Sequence, residues 1–239
     1  MYNCIILGSG RSGTSMAAGL LAKSGYFMGN NLIPPRPANP KGFFESAQIN
    51  RDINEVLMRP LLPEMVSGHG WLKILPYDTL IPKNATAVRR IKTMVAKQPF
   101  CYKDPRFCYT LPAWIPHVPR TKILCVFRHP ASTATSIVRE CNTAKYLRAL
   151  PMDIPTALRI WCAMYGRIVH TLRSQGSWMF VHYNQLFEKD TLDEIKGFLE
   201  LDTIDYSFPE KRLIRPQPDV NLTKNATNLY TTLCELSNR

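Results

Sequence analysis

The stretch GSGRSGTS, residues 8–15, follows the apolar run CIIL at 4–7 and opens a second apolar stretch. This order predicts a strand at 3–8, a glycine-rich turn, and a helix from about 13 to 23. Backbone N–H groups at the start of such a helix can bind an anion, and the arginine and hydroxyls of the turn add donors. The candidate binding residues of the loop are Arg11, Ser12, Gly13, Thr14 and Ser15.

Two familiar nucleotide-binding patterns fit this loop incompletely. Its glycine spacing matches the dinucleotide fingerprint, but that fingerprint needs an acidic residue about 20 positions on, and none precedes Glu45. A P-loop NTPase needs lysine at the place of Thr14 and an aspartate after a second strand for Mg²⁺. The strand predicted at 122–127 ends instead in Arg128. A plain strand–helix turn without a ligand is the remaining alternative.

The composition suits one α/β domain that binds a small anion. The chain has 239 residues, 45% of them hydrophobic, and a net charge of +12. Its lysines and arginines are dispersed, with no run of five. This favours a pocket for a multiply charged small anion over a nucleic-acid surface, which usually carries a dense basic stripe.

The sequence predicts a protein of the reducing cytoplasm. No run of 18 apolar residues is present, so no membrane span is expected. The N-terminus lacks a signal-peptide pattern. The seven cysteines lack metal-ligand spacing, and Cys4 and Cys125 lie in apolar runs, where buried thiols are expected.

Alternation of strands and helices predicts a single domain, residues 1–239, with a parallel sheet of four to five strands flanked by helices. A proline-rich loop at 29–44 and a loop-rich region at 60–82 interrupt the pattern, and a tail follows at 209–239. Further strands are expected at 100–104, 122–127 and 178–183. Further helices are expected at 46–59, capped by Ser46, and near 85–97, 132–142, 154–174, 191–200 and 225–237.

A second anion-binding pair follows the strand at 122–127. Arg128 ends the strand, and Ser136 lies eight residues on, about two turns into the next helix. The two side chains can converge on one phosphate, with the guanidinium as a fork. A surface arginine and a serine on a solvated helix face are the alternative.

Together these motifs resemble those of sulfotransferases that use 3′-phosphoadenosine 5′-phosphosulfate (PAPS). The loop 8–15 resembles their 5′-phosphosulfate loop, and 122–139 resembles their 3′-phosphate motif. The stretch 180–201 resembles the segment whose tyrosine lies by the adenine, which corresponds to Tyr183. The resemblance covers about 3–201. It implies a P-loop NTPase-like fold and transfer of a sulfuryl group from PAPS to a hydroxyl or amine.

The resemblance also implies roles for individual residues. Arg11 would bind the leaving phosphate, Lys103 the sulfuryl group, and a tail residue, Arg215, the 3′-phosphate. The histidine that follows the lysine in some members is absent. Other branches have a glutamate after the first helix, and NPKGFFES at 39–46 resembles their pattern, which makes Glu45 the general base. Helix capping by Glu45 is the alternative role.

Asp104 is an alternative base, although it also suits a local turn or a partnership with Arg106. No metal is expected, because the transferred group carries less charge than a γ-phosphate and fixed cations can serve. The acceptor is unassigned: a small molecule, a glycan, a lipid head group or a peptide. The loops at 29–44 and 60–82, including His69 and Trp71, are expected to shape its pocket. A P-loop kinase with a degenerate loop and a non-catalytic anion- or nucleic-acid-binding module are the alternative functions.

Overall fold

A parallel sheet of four strands lies at the centre of the computed structural model. The structure describes residues 1–37, 39–62, 64, 69–147, 150–211 and 216–238. The strands are β1 (Asn3–Leu7), β2 (Cys101–Lys103), β3 (Thr121–Phe127) and β4 (Ser177–His182), in the order β2-β1-β3-β4. The predicted parallel sheet is therefore confirmed, and the strand predicted at 122–127 is β3, in the interior of the sheet.

The register brings the carboxyl ends of all four strands to one edge of the sheet. Ile6 is paired with Lys103, Leu7 with Cys125, and Phe127 with His182. The glycine-rich loop therefore leaves the sheet beside Lys103. In open parallel sheets this edge is where ligands bind.

Eight α-helices and two π-helical segments surround the sheet in the described part of the chain. The helices are α1 (Thr14–Lys23), α2 (Glu55–Met58), α3 (Ala85–Met94), α4 (Phe107–Trp114), α5 (Pro130–Thr143), α6 (Ile154–Arg167), α7 (Lys189–Leu199) and α8 (Lys224–Leu236). The π-helical segments are Gln48–Asn54, which leads into α2, and Ile168–Leu172, which extends α6.

Alternation along the strands divides the core into two layers. Ile5 and Leu7 face a layer that includes residues of α3 to α6 and α8, whereas Cys4 and Ile6 face α1 and α7. Successive side chains of a strand point to opposite faces, so a strand covered on both sides is apolar throughout. All five residues of β1 are buried for this reason.

One helix was missed and one local prediction was wrong. No helix was predicted where α4 lies, and the fold places Pro112 inside this helix. The cap at Ser46 is absent: the helical segment begins at Gln48, and the Ser46 hydroxyl has no hydrogen-bond partner among the described residues.

All seven cysteines are free thiols, and six of them are buried. Cys4 and Cys125 are buried, as expected from their apolar runs, and burial raises the pKa of Cys125. No helix in the described ranges is both long and apolar enough to cross a membrane.

Candidate functional site

The glycine-rich loop is fixed to the sheet by contacts that only glycine permits. Gly8 has φ 144°, and a β-carbon there would lie 2.2 Å from the Val126 carbonyl oxygen. The next residue, Ser9, donates its backbone N–H to the Tyr165 hydroxyl over 3.1 Å. Arg11 itself has a positive φ of 71°. The turn therefore holds its arginine in a backbone conformation that few residues with side chains adopt.

The hydroxyl of Ser12, a candidate binding residue of the loop, lies against α5, and Ser12 is not part of the described lining of either cavity. Ser12 is fully buried, and its Oγ lies 3.3 Å from Thr133 Oγ1 of α5. The backbone of Ser12 remains part of the turn, since its N–H donates to the Ser9 carbonyl. Ser12 thus joins the loop to α5, while Thr14 and Ser15 line the cavities described below.

Gly13 and Tyr183 are in close contact. Gly13 has φ 95°, and a β-carbon added to it would lie 2.3 Å from Tyr183 Cδ2. The aromatic ring therefore occupies the space that any larger residue at this position would need. The fourth strand, which ends at His182, thereby places its tyrosine against the start of α1.

We expect Gly13→Ala to destabilise the protein by more than Gly25→Ala does. Both glycines flank α1 with φ 95°, but a β-carbon at Gly25 would meet nothing within 4 Å. Gly25→Ala therefore costs only the backbone strain, about 1 kcal/mol. Gly13→Ala should cost roughly 1–3 kcal/mol more, because the Tyr183 ring must move. Urea unfolding measures the free energy of unfolding of both variants. Equal losses in the two variants would show that the Tyr183 ring moves without an energetic cost.

A cavity of about 420 Å³, termed the Arg128 cavity, lies where the loop faces α5 and Tyr183. The Arg128 guanidinium lies 4.6 Å from the centroid of the Tyr183 ring. Burial lowers the pKa of Arg128, Tyr183 opposes this effect, and Arg11 adds to it. The residues that line the Arg128 cavity include Arg11, Gly13, Thr14, Ser15, Lys41, Arg128, Ser132, Ser136, Arg139 and Tyr183.

Arg11 connects the two sequence motifs. Its Nε donates to Ser136 Oγ over 3.2 Å, although the residues are far apart in the chain. Arg128 and Ser136, whose spacing predicted that they lie together, thus share one cavity with the loop.

A second cavity of about 460 Å³, termed the Glu45 cavity, lies on the other side of the loop. Lys103 Nζ forms a salt bridge with Glu45 and donates to Ser15 Oγ over 3.1 Å. The other carboxylate oxygen of Glu45 accepts from Asn50 Nδ2 over 3.0 Å. Glu45 thus binds a lysine and an asparagine instead of capping a helix, and the ammonium group lies between the loop and the carboxylate.

The two cavities share a wall. Arg11, Thr14 and Ser15 line both of them. Lys103 is 2% exposed and Glu45 8% exposed, yet both border the Glu45 cavity. A molecule held in one cavity can therefore meet a molecule held in the other beside a buried acid–base pair.

Asp104 belongs to a separate buried network. It accepts from the backbone N–H of Arg106 over 2.8 Å and from the same guanidinium over 2.9 Å, and that guanidinium also binds Glu55. Burial would lower the pKa of Arg106, but Asp104, Glu55 and Glu45 raise it on balance. Asp104 is fully buried and is not part of the described lining of either cavity, and its pairing with Arg106 is the other role expected for it from the sequence.

Three features of the site were missed or left open by the sequence. Glu140 is buried in the Glu45 cavity, 3.9 Å from Arg11, and its position four residues after Ser136 could have shown that both share one helix face. Trp71 covers Gly10, where a β-carbon would lie 2.4 Å from the indole. His69, by contrast, is buried with Nε2 2.6 Å from the Tyr146 carbonyl oxygen.

The structure does not bear on Arg215, which lies outside the described residues.

His129 packs against Tyr230 of α8, with ring centroids 4.9 Å apart, as suits a structural residue. Within the described ranges, no three or more His, Cys, Asp or Glu side chains are placed to hold a metal ion together.

Comparison with known proteins identifies the family and the fold of this chain. A family model described as Sulfotransferase family matches residues 4–205. No curated protein matches the sequence significantly. Among solved structures, the sulfotransferase domain from the curacin biosynthetic pathway has a TM-score of 0.56 at 17% identity, covering 97% of each chain.

A sulfotransferase from Alicyclobacillus acidocaldarius is similar too, with a TM-score of 0.52 at 14% identity over 100% of this chain and 96% of the other. At these identities the two structures support the fold alone. The family assignment comes from the sequence match, which spans β1 to the end of α7. This chain belongs to the sulfotransferase family.

Proposed function

We propose that the protein transfers a sulfuryl group from PAPS to a hydroxyl or amine of an acceptor bound in the Glu45 cavity. The observation that carries the proposal is the wall shared by the two cavities, with Lys103 and Glu45 beside it. Direct transfer between two substrates requires both to be held in line with their reacting groups in contact. Adjacent cavities on the two sides of one anion-binding loop suit this requirement.

The Arg128 cavity fits the charges of the nucleotide. Arg128 and Ser136 would hold the 3′-phosphate, and the loop amides with Arg11 would hold the phosphosulfate. Tyr183 would lie beside the adenine. Arg139 adds positive charge to the same cavity, and Lys41, which also lines it, is paired with Glu210. The cavity therefore offers cations and hydroxyls for two separate phosphate groups and an aromatic ring for a base.

When bound, the nucleotide supplies a sulfuryl group with a phosphate as its leaving group. Glu45 is the candidate base: its carboxylate takes the proton from the acceptor hydroxyl as the oxygen–sulfur bond forms and the bond to the leaving phosphate oxygen breaks. Lys103 and Arg11 stabilise the negative charge that develops on the sulfuryl and leaving oxygens. Because Lys103 contacts both Ser15 and Glu45, one ammonium group orients the base and faces the loop.

The nucleotide site is tested by comparing adenosine 3′,5′-bisphosphate with adenosine 5′-phosphate in thermal unfolding. The bisphosphate should stabilise the protein more, because Arg128 and Ser136 bind its additional phosphate. A ligand at 100 times its dissociation constant adds about 2.7 kcal/mol, which is readily detected. Arg128→Ala should abolish the difference between the two nucleotides.

Arg159→Ala is the matched control, since it removes the same charge from an exposed position on α6. It should retain the preference for the bisphosphate. Equal stabilisation of the unmodified protein by both nucleotides would contradict the assignment of the second motif. Stabilisation by ATP with Mg²⁺ and not by the bisphosphate would support a kinase instead.

A further inference from the structure

The Glu45 cavity carries more positive charge than its acidic residues balance. Five cationic side chains line it, and three of them have acidic partners: Arg11 with Glu140, Lys103 with Glu45, and Arg106 with Asp104 and Glu55. Arg36 and Arg51 have no acidic partner within the described part of the chain. Two arginines therefore border this cavity without a carboxylate of the described residues at salt-bridge distance, and the five cations exceed the four acidic partners by one charge.

Arg36 is held in the cavity wall by aromatic rings. Its guanidinium lies 4.4 Å from the centroid of Tyr146 and 5.9 Å from that of Phe43. Stacking of this kind fixes the plane of the guanidinium and leaves its N–H edge available to an anion. Arg36 forms no side-chain hydrogen bond to another described residue, so its N–H donors are not used within the described part of the chain.

The remaining wall is largely apolar. Trp71, Phe43 and Tyr146 present aromatic surface, and Leu32 and Tyr146 are 37% and 39% exposed although both are large hydrophobic residues. Arg51, on the π-helical segment Gln48–Asn54, is exposed and borders the same cavity. An occupant that covers this surface needs an apolar body as well as a group that binds cations.

We propose that the acceptor is an anion: a hydroxyl compound with an apolar, ring-sized body and a carboxylate or phosphate that binds Arg36 and Arg51. The proposal rests on the proposed function, because Glu45 defines where the hydroxyl lies. The arginine fork matches both anionic groups bidentately. The same charges disfavour cationic acceptors, since like charges brought together in a cavity repel.

The test uses matched phenols that differ only in charge. 4-Hydroxyphenylacetate and 3-(4-hydroxyphenyl)propionate are compared with their uncharged amides, and 4-hydroxybenzylphosphonate distinguishes a phosphate acceptor from a carboxylate acceptor. Binding is measured by thermal stabilisation with adenosine 3′,5′-bisphosphate at saturation, and turnover by transfer from PAPS. Each acid should bind at least roughly tenfold more tightly than its amide, as expected for a hydrogen bond to a charged group.

Variants locate the charge that makes the difference. The double variant Arg36→Gln/Arg51→Gln should lose the preference for the acid. Arg36→Lys combined with Arg51→Gln should regain part of that preference. Arg59→Gln, an exposed arginine outside the described cavity lining, is the control and should keep the preference.

Equal binding of acid and amide in every pair, including binding of neither, would overturn the proposal. So would a preference that survives in the double variant. A protein that binds the bisphosphate but fails this comparison retains its proposed function and loses only the anionic acceptor. A protein that fails to bind the bisphosphate loses the proposed function.

Discussion

Glu45→Gln is expected to slow sulfuryl transfer at least about 100-fold while leaving the affinity for adenosine 3′,5′-bisphosphate unchanged. A positioned general base contributes about 10²–10⁴-fold to rate, and glutamine keeps the shape of the side chain without its basicity. Glu45 borders the second cavity and not the Arg128 cavity, so nucleotide binding should be spared. Single-turnover rates at saturating PAPS, alongside calorimetric titration with the bisphosphate, measure the two effects separately.

The same substitution also affects stability, because Glu45 is the salt-bridge partner of Lys103. Lys103 is almost fully buried, and leaving a buried charge without its partner can cost about 3–5 kcal/mol. The amide oxygen of glutamine still accepts a hydrogen bond, which should keep the loss below that range. Rates are therefore compared well below the melting temperature of the variant.

Glu55→Gln is the matched control for this loss of stability. Glu55 is a buried carboxylate paired with a buried cation, Arg106, at 2.9 Å, and it lies outside the described lining of both cavities. It should lower the melting temperature with little change in turnover. If Glu45→Gln retained near-normal turnover, Glu45 would be only the partner of Lys103, and the proton would have to leave by another route.

The strand and loop pattern allowed the fold to be predicted from sequence because its signals are local. The apolar run at 4–7, the glycine spacing and the helix after them occur within one stretch of chain. Buried parallel strands are apolar throughout, so β3 could also be recognised. Helix α4 was missed because proline normally breaks a helix, and here packing against the sheet and α6 outweighs that preference.

The contacts between site residues could be predicted only in part. The motif spacing placed Arg128 and Ser136 in one cavity, as the structure has them. The pairing of Lys103 with Glu45 joins residues 58 positions apart, and no local pattern in the chain encodes such a contact. The neighbouring residues Lys103 and Asp104 were both considered for the reaction, the lysine for the sulfuryl group and the aspartate as an alternative base or a partner of Arg106. The fold separates them, since the lysine faces the Glu45 cavity and the aspartate binds Arg106.

Lys103→Ala is expected to lower turnover about 10²–10³-fold, the loss typical of removing one group that stabilises transition-state charge. Interactions made only in the transition state raise turnover without tightening substrate binding, so the affinity for adenosine 3′,5′-bisphosphate should change much less than the rate. Lys83→Ala, at an exposed lysine, is the control for the lost charge and should retain full turnover. A variant of Lys103 that lost affinity alone would show that this residue binds the donor and has no part in the transfer step.

The double variant Glu45→Gln/Lys103→Ala distinguishes two independent groups from one unit. Lys103 Nζ contacts both Ser15 and Glu45, so its removal should also displace the base. Residues that act as a unit give strongly non-additive losses. We therefore expect the double variant to be only slightly slower than the slower single variant. Losses that multiplied in full would show that Lys103 acts on the transferred group alone, and that the carboxylate keeps its position without the ammonium beside it.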